Sequence, residues 1–157
     1  MTFTHAYTAT AMCSPTRQQL YTGLFPARSG AMANHSSVKQ GTRSMVHHLS
    51  ELGYEVSLSG KEHFGPPKSF PFERKEGLSI PSGPEPFCLV HASKKPHDGW
   101  PDARGYDPSA LTVPPYLVDN LETRRSLSRY FTEITELDEE VKTLLSDLQA
   151  KGKAGNT

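Results

Sequence analysis

A chain of 157 residues, 35% of them hydrophobic and 22% charged, with 13 prolines and 12 glycines, is long enough for one buried core and suits a loop-rich globular piece rather than a coiled coil or a disordered tail. Seventeen basic residues balance 17 acidic ones, which leaves no overall basic field for nucleic acid and makes any anion site a local feature. The longest apolar run, Phe87 to Ala92, is far too short to cross a bilayer, and Thr2-Phe3-Thr4-His5 after Met1 is no signal segment, so neither a membrane nor a targeting sequence is expected.

The start, residues 2–7, reads as a short strand. Helix signals begin at Cys13-Ser14-Pro15-Thr16-Arg17: Ser14 can cap, Pro15 fits the first turn where its missing N–H is harmless, and Gly23 can end the segment. Cys13 then lies at or just before a helix N-terminus, facing unpaired N–H groups. A second helix is predicted over 42–52, with Met45, Val46, Leu49 and Leu52 at helical spacing and Gly53 as its stop. Residues 54–58 alternate as a strand and deliver a polar loop bounded by glycines, Gly60 to Gly65.

Residues 66–86 are rich in proline, glycine and charge and read as an irregular surface excursion. The run 86–92 is apolar nearly throughout, as a strand buried on both faces should be, and ends in Ser93-Lys94-Lys95-Pro96-His97. Cys88 within it is expected as a buried thiol, while Cys13 sits where chemistry or exposure would put it; a disulfide between the two stays open. Residues 98–118 are predicted loop. A long amphipathic helix follows over 120–151, its stripe running from Leu127 through Tyr130, Phe131, Ile134, Leu137, Val141, Leu144 and Leu145 to Leu148, with Asp119 and Glu122 placed for a capping box. At ~1.5 Å per residue it would span roughly 45 Å. The fold class is α/β, with a sheet expected to continue past Thr157.

Three loops place nucleophilic or cationic groups just beyond an ordered element: Cys13 with Arg17, Lys61 with His63, and Lys94, Lys95 and His97. Ligands of open α/β sheets collect beyond the carboxyl ends of the strands, so these loops can converge on one anion. Arg17 lies one helical turn past Cys13 and can point back to the same locus. Each loop alone has an ordinary structural reading, and composition and spacing support an anion pocket and nothing sharper.

Cys13-Ser14-Pro15-Thr16-Arg17 followed by Leu20-Tyr21-Thr22-Gly23 resembles the signature of the type I, formylglycine-dependent sulfatases. Gly60-Lys61-Glu62-His63-Phe64-Gly65 resembles that family's Gly-Lys-x-His-x-Gly motif, and Ala92 to His97 its later histidine loop. The resemblance implies part of an alkaline-phosphatase-like α/β sandwich, with residues 1–157 forming a partial catalytic domain. It also implies hydrolysis of sulfate esters, small-molecule or carbohydrate, after a formylglycine-generating enzyme has converted Cys13 to the aldehyde. One hydroxyl of the hydrated aldehyde attacks sulfur; the other then loses its proton and expels sulfate.

Carried over by resemblance, Cys13 is the nucleophile and a metal ligand, and Arg17 steadies its hydrate. Lys61 binds a sulfate oxygen, His63 takes the second hydroxyl's proton, and His97 binds sulfate and assists the leaving alcohol. Lys94 and Lys95 receive no role. The family's calcium is held by carboxylate and amide oxygens. Its ligand pairs are expected upstream of Met1 and beyond Thr157, and Asp119-Asn120 is read as a helix cap, not a ligand pair. Without them, little turnover is expected of this chain. A phosphate or phosphonate ester hydrolase of the same superfamily and a noncatalytic remnant are the alternatives, and family habit implies a periplasmic, secreted or lysosomal setting.

Overall fold

A computed structural model describes residues 2–157. It divides into two compact units, one of residues 2–76 and 83–92 and the other of residues 77–82 and 93–157.

In the first unit, residues 2–12 are irregular and no strand forms over 2–7, because nothing pairs with that backbone among the described residues. Helix α1 spans Cys13–Thr22 and stops at Gly23, whose φ of 68° is the left-handed conformation that favours glycine. The short helix α2, Pro26–Ser29, carries proline in its first turn. Helix α3, Met45–Glu51, is shorter than the predicted 42–52 because Ser44 and His47 form a capping box at its start.

The sheet is parallel, in the order β2-β1-β3, with β1 at Glu55–Gly60, β2 at Glu73–Lys75 and β3 at Phe87–Ala92. Strand β1 is central, so Val56 to Ser59 are all buried rather than alternating. The fully buried strand predicted over 86–92 is instead mostly half-buried as β3, which among the described residues pairs only with β1; within it only Ala92 is buried. Cys88 is accordingly half-buried; burial still pushes its thiol up, and both cysteines are free. Strand β2 was not expected within 66–86, since three charged residues carry no hydrophobic pattern and only pairing with Ser57 to Ser59 makes them a strand.

Tyr21, Ala31, Val38, Val46, Val56, Leu58, Phe70 and Phe72 form the core of this unit, with Phe64 packed against it. Tyr21 meets Phe64 and Phe72 edge-on at 5.5 and 5.2 Å between ring centroids, the geometry that aromatic quadrupoles favour.

The second unit is organised by helix α4, Leu121–Ala150. Its cap is Asn120, whose side chain accepts from the Thr123 N–H at 2.9 Å, rather than the Asp119 and Glu122 box; Asp119 instead pairs with Arg124. Trp100 packs on Tyr130 and Tyr106 on Phe131, while the Ser128 hydroxyl donates to the Tyr106 carbonyl at 2.6 Å. Further along the stripe only Leu148 is buried, and Ile134, Val141 and Leu145 are exposed. Among the described residues no helix is long and apolar enough to cross a membrane.

Candidate active site

Cys13 is the first residue of α1. Met12 is the N-cap and supplies no side-chain bond, and no acidic residue occupies the first turn, so the partial positive charge of this helix end is uncompensated locally. Ser14, expected as the cap, is fully buried one step inside, where its hydroxyl donates to the Ser36 carbonyl at 3.3 Å. The helix begins two residues earlier than its strongest capping residue suggests, with Met12 rather than Ser14 at the N-cap, and Ser14 makes a tertiary bond instead.

Strand β1 delivers the second motif. At Gly60 the φ is 91°, and the chain turns away as the Lys61 N–H donates to the Ala92 carbonyl at 2.7 Å. The next side chains part ways. Glu62 points outward to a two-pronged pair with Arg74, Phe64 enters the aromatic cluster, and His63 between them faces α1. Its φ of 57° is left-handed, uncommon for a residue with a Cβ.

His63 Nδ1 lies 3.0 Å from Cys13 Sγ, and the thiol also reaches the Asn34 amide oxygen at 3.4 Å. Arg17, half-buried one turn into α1, donates through Nη1 to the Lys61 carbonyl at 3.1 Å, and its charge acts on the Tyr21 hydroxyl. Burial pushes the Tyr21 phenol up, and the Arg17 charge partly offsets this. Among the described residues neither Arg17 nor Lys61 forms an ion pair, so both cations are available to an anion.

The first unit thus holds Cys13, Arg17, Lys61 and His63, with Cys13 touching His63 and Arg17 touching the Lys61 backbone. His97 belongs to the second unit, where it is exposed and its Nδ1 lies 3.3 Å from the Asp98 carbonyl oxygen. Lys95 pairs with Glu136 at 2.6 Å, which raises the lysine and lowers the glutamate from their ordinary values. That contact accounts for Lys95 without chemistry.

Three residues at the site carried no sequence signal that singled them out. Gln18 is fully buried: its amide N–H groups donate to the Ser36 carbonyl at 2.9 Å and the Ser14 hydroxyl at 3.0 Å, and its oxygen accepts from Val38 N–H at 3.0 Å and Gly65 N–H at 3.4 Å. It ties the loop containing Asn34 and His35, and the end of the His63 loop, to the helix that bears Cys13. Its placement four residues after Ser14, on the inward face, is the one trace of this in the sequence. Asn34 and His35 lie in a loop with no periodicity. Their only hint is that asparagine and histidine tolerate left-handed turns better than most residues, and His35 has a φ of 62°.

Among the described residues no group of three or more His, Cys, Asp or Glu side chains is arranged to hold a metal ion. Around Cys13 stand an amide and an imidazole rather than the several carboxylate oxygens a hard cation takes. These residues do not by themselves fit calcium.

The sulfatase family model matches residues 1–83, the stretch that carries Cys13, Arg17, Lys61 and His63. The chain is 30% identical to an ulvan-active sulfatase of Formosa agariphila, over 92% of this chain and 35% of that protein. It is 24% identical to the N-sulphoglucosamine sulphohydrolase of Homo sapiens, over 99% of this chain and 41% of that one. It is also 34% identical to a choline-sulfatase of Rhizobium meliloti, over 60% of this chain and 18% of that protein. The chain therefore spans less than half the length of these relatives. With the motif residues gathered at the mouth of α1 and the match covering them, the chain belongs to the sulfatase family.

Proposed function

We propose that this chain is part of a sulfate ester hydrolase that works through a formylglycine made from Cys13. The observation that carries the reading is the 3.0 Å approach of His63 Nδ1 to Cys13 Sγ at the start of α1, the helix that carries Arg17, whose Nη1 donates to the carbonyl of Lys61 in the same loop as His63. The Sγ here stands in for the two oxygens of the hydrated aldehyde. One oxygen attacks sulfur and displaces the alcohol, leaving sulfate bound to the residue at position 13. His63 takes the proton of the other oxygen, the C–O bond to sulfate breaks, and the aldehyde re-forms.

Arg17, fixed by the Lys61 carbonyl, holds charge next to the hydrate, and Lys61 binds a sulfate oxygen. His97 enters on resemblance, as the residue that binds sulfate and assists the departing alcohol. The calcium that the family implies would need oxygen ligands beyond residues 2–157. The family relationship supports placing residues 1–157 within one alkaline-phosphatase-like catalytic domain. The relatives named for ulvan and for N-sulphoglucosamine support a carbohydrate sulfate as substrate, and the Cys-x-Pro-x-Arg sequence supports a formylglycine-generating enzyme as partner.

The test is co-expression with a formylglycine-generating enzyme, mass analysis of the Cys13 peptide, and assay of the full-length protein with aryl sulfate, sugar sulfate and aryl phosphate. Conversion to the aldehyde and preference for sulfate esters are expected. An intact thiol, or faster cleavage of the phosphate ester, would overturn the reading.

A further inference from the structure

His35 lies outside the sequence motifs, yet its Nδ1 stands 2.8 Å from Nε2 of His63, with the two ring centroids 4.6 Å apart. Both residues hold left-handed backbone, φ 62° and 57°, and those conformations turn the two rings toward each other from loops 28 positions apart. The Asn34 Nδ2 is 3.3 Å from His35 Nε2.

These contacts form a ring whose direction is set by one group. The Asn34 amide nitrogen can only donate, so His35 Nε2 accepts. A neutral His35 then carries its proton on Nδ1 and donates to His63 Nε2. A neutral His63 in turn carries its proton on Nδ1, facing Cys13 Sγ, and the thiol donates to the Asn34 amide oxygen at 3.4 Å. We infer that His35 is a positioning residue for His63: it fixes the orientation and tautomer of that ring, so that Nδ1 is held against position 13.

This deepens the sulfate ester reading and rests on it for its catalytic meaning. An aldehyde hydrate at position 13 brings hydroxyl donors in place of the thiol. One can donate to His63 Nδ1 once the His63 proton sits on Nε2, from where it is donated to His35 Nδ1. That state puts the His35 proton on Nε2 and requires the Asn34 amide to turn over, so that its oxygen accepts from His35 and its nitrogen faces position 13; the His35–His63 contact is kept, with donor and acceptor exchanged.

The experiment is long-range proton–nitrogen NMR of histidine-labelled chain with Cys13 as the thiol, comparing wild type, His35→Phe and His35→Gln. Wild type is expected to show His63 as one tautomer, protonated on Nδ1. His35→Phe keeps a ring without nitrogen and should give a tautomer mixture, and His35→Gln, which retains an amide donor, should return the single form. A wild-type mixture, or an unchanged His63 in His35→Phe, would overturn the inference. In the full-length protein bearing formylglycine, His35→Phe should lower kcat on the order of tenfold with KM unchanged, part of what a positioned base contributes, and His35→Gln should recover most of it. The NMR arm needs no turnover. Loss of the sulfate ester reading therefore leaves it readable, and unchanged spectra in an active enzyme count against His35 alone.

Discussion

A Cβ on Gly60 would fall 2.2 Å from the carbonyl oxygen of Ala92, an atom already engaged by the Lys61 N–H at 2.7 Å. The contact lies at the point where β1 releases the Lys61 to His63 loop. Gly60→Ala would meet that backbone clash and a φ of 91° at once, and should cost ~3 kcal/mol of stability. Urea unfolding checks this, and a midpoint equal to wild type would show that the strand ends can separate freely.

Gln18 is the second lever. Its removal takes the only acceptor among the described residues from the Gly65 N–H, and one donor and one acceptor from the Ser36 carbonyl and the Val38 N–H, which keep the Ser14 hydroxyl at 3.3 Å and the Gly65 carbonyl at 2.9 Å. Gln18→Ala is expected to destabilise by about 3 kcal/mol, from lost buried hydrogen bonds together with a small cavity. Gln18→Glu keeps an acceptor for the two N–H groups but faces the Ser36 carbonyl with an oxygen, so it should be no better. Denaturant titration of both variants against wild type decides it.

Phe64 follows His63 directly and anchors that loop among Tyr21, Phe70 and Phe72. Phe64→Ala should lose roughly 2 kcal/mol, less than a fully buried phenylalanine because the ring is half-buried. Phe64→Leu should recover about half of that loss. Paired thermal melts read the order of the two.

Acid should act on the second unit at Asp147. Its carboxylate accepts from the Ile80 N–H at 3.0 Å and from the Lys151 ammonium at 3.1 Å, and the Ile80 bond first, then Lys151, holds it below the usual carboxylate range. A carboxyl depressed by folding adds stability that is present above its unfolded value, near ~4, and is lost as pH falls through the folded value. The segment 77–82 should therefore lose amide protection at Ile80 on acidification below about pH 4, relative to intrinsic exchange. In Asp147→Asn the protection should be lower at neutral pH and nearly independent of acid. Hydrogen exchange followed at Ile80 tests both.

What the linear chain determined on its own was local chemistry and its order. Cys13, Pro15 and Arg17 within one helical turn, a glycine closing α1, and Gly60 ahead of Lys61 and His63 announce a helix mouth and a strand-end loop, because caps, turns and periodicity act over a few residues. Position along the sheet was different. Strand β2 is three charged residues whose conformation comes from pairing with β1, and β3 is half-exposed, pairing only with β1 among the described residues. Only tertiary contact made Gln18 a buried clamp and brought His35 to His63. Hydrogen bonds between residues so far apart in the chain leave no periodic imprint on either partner, so the pairing exists only once the two loops are folded against the same helix.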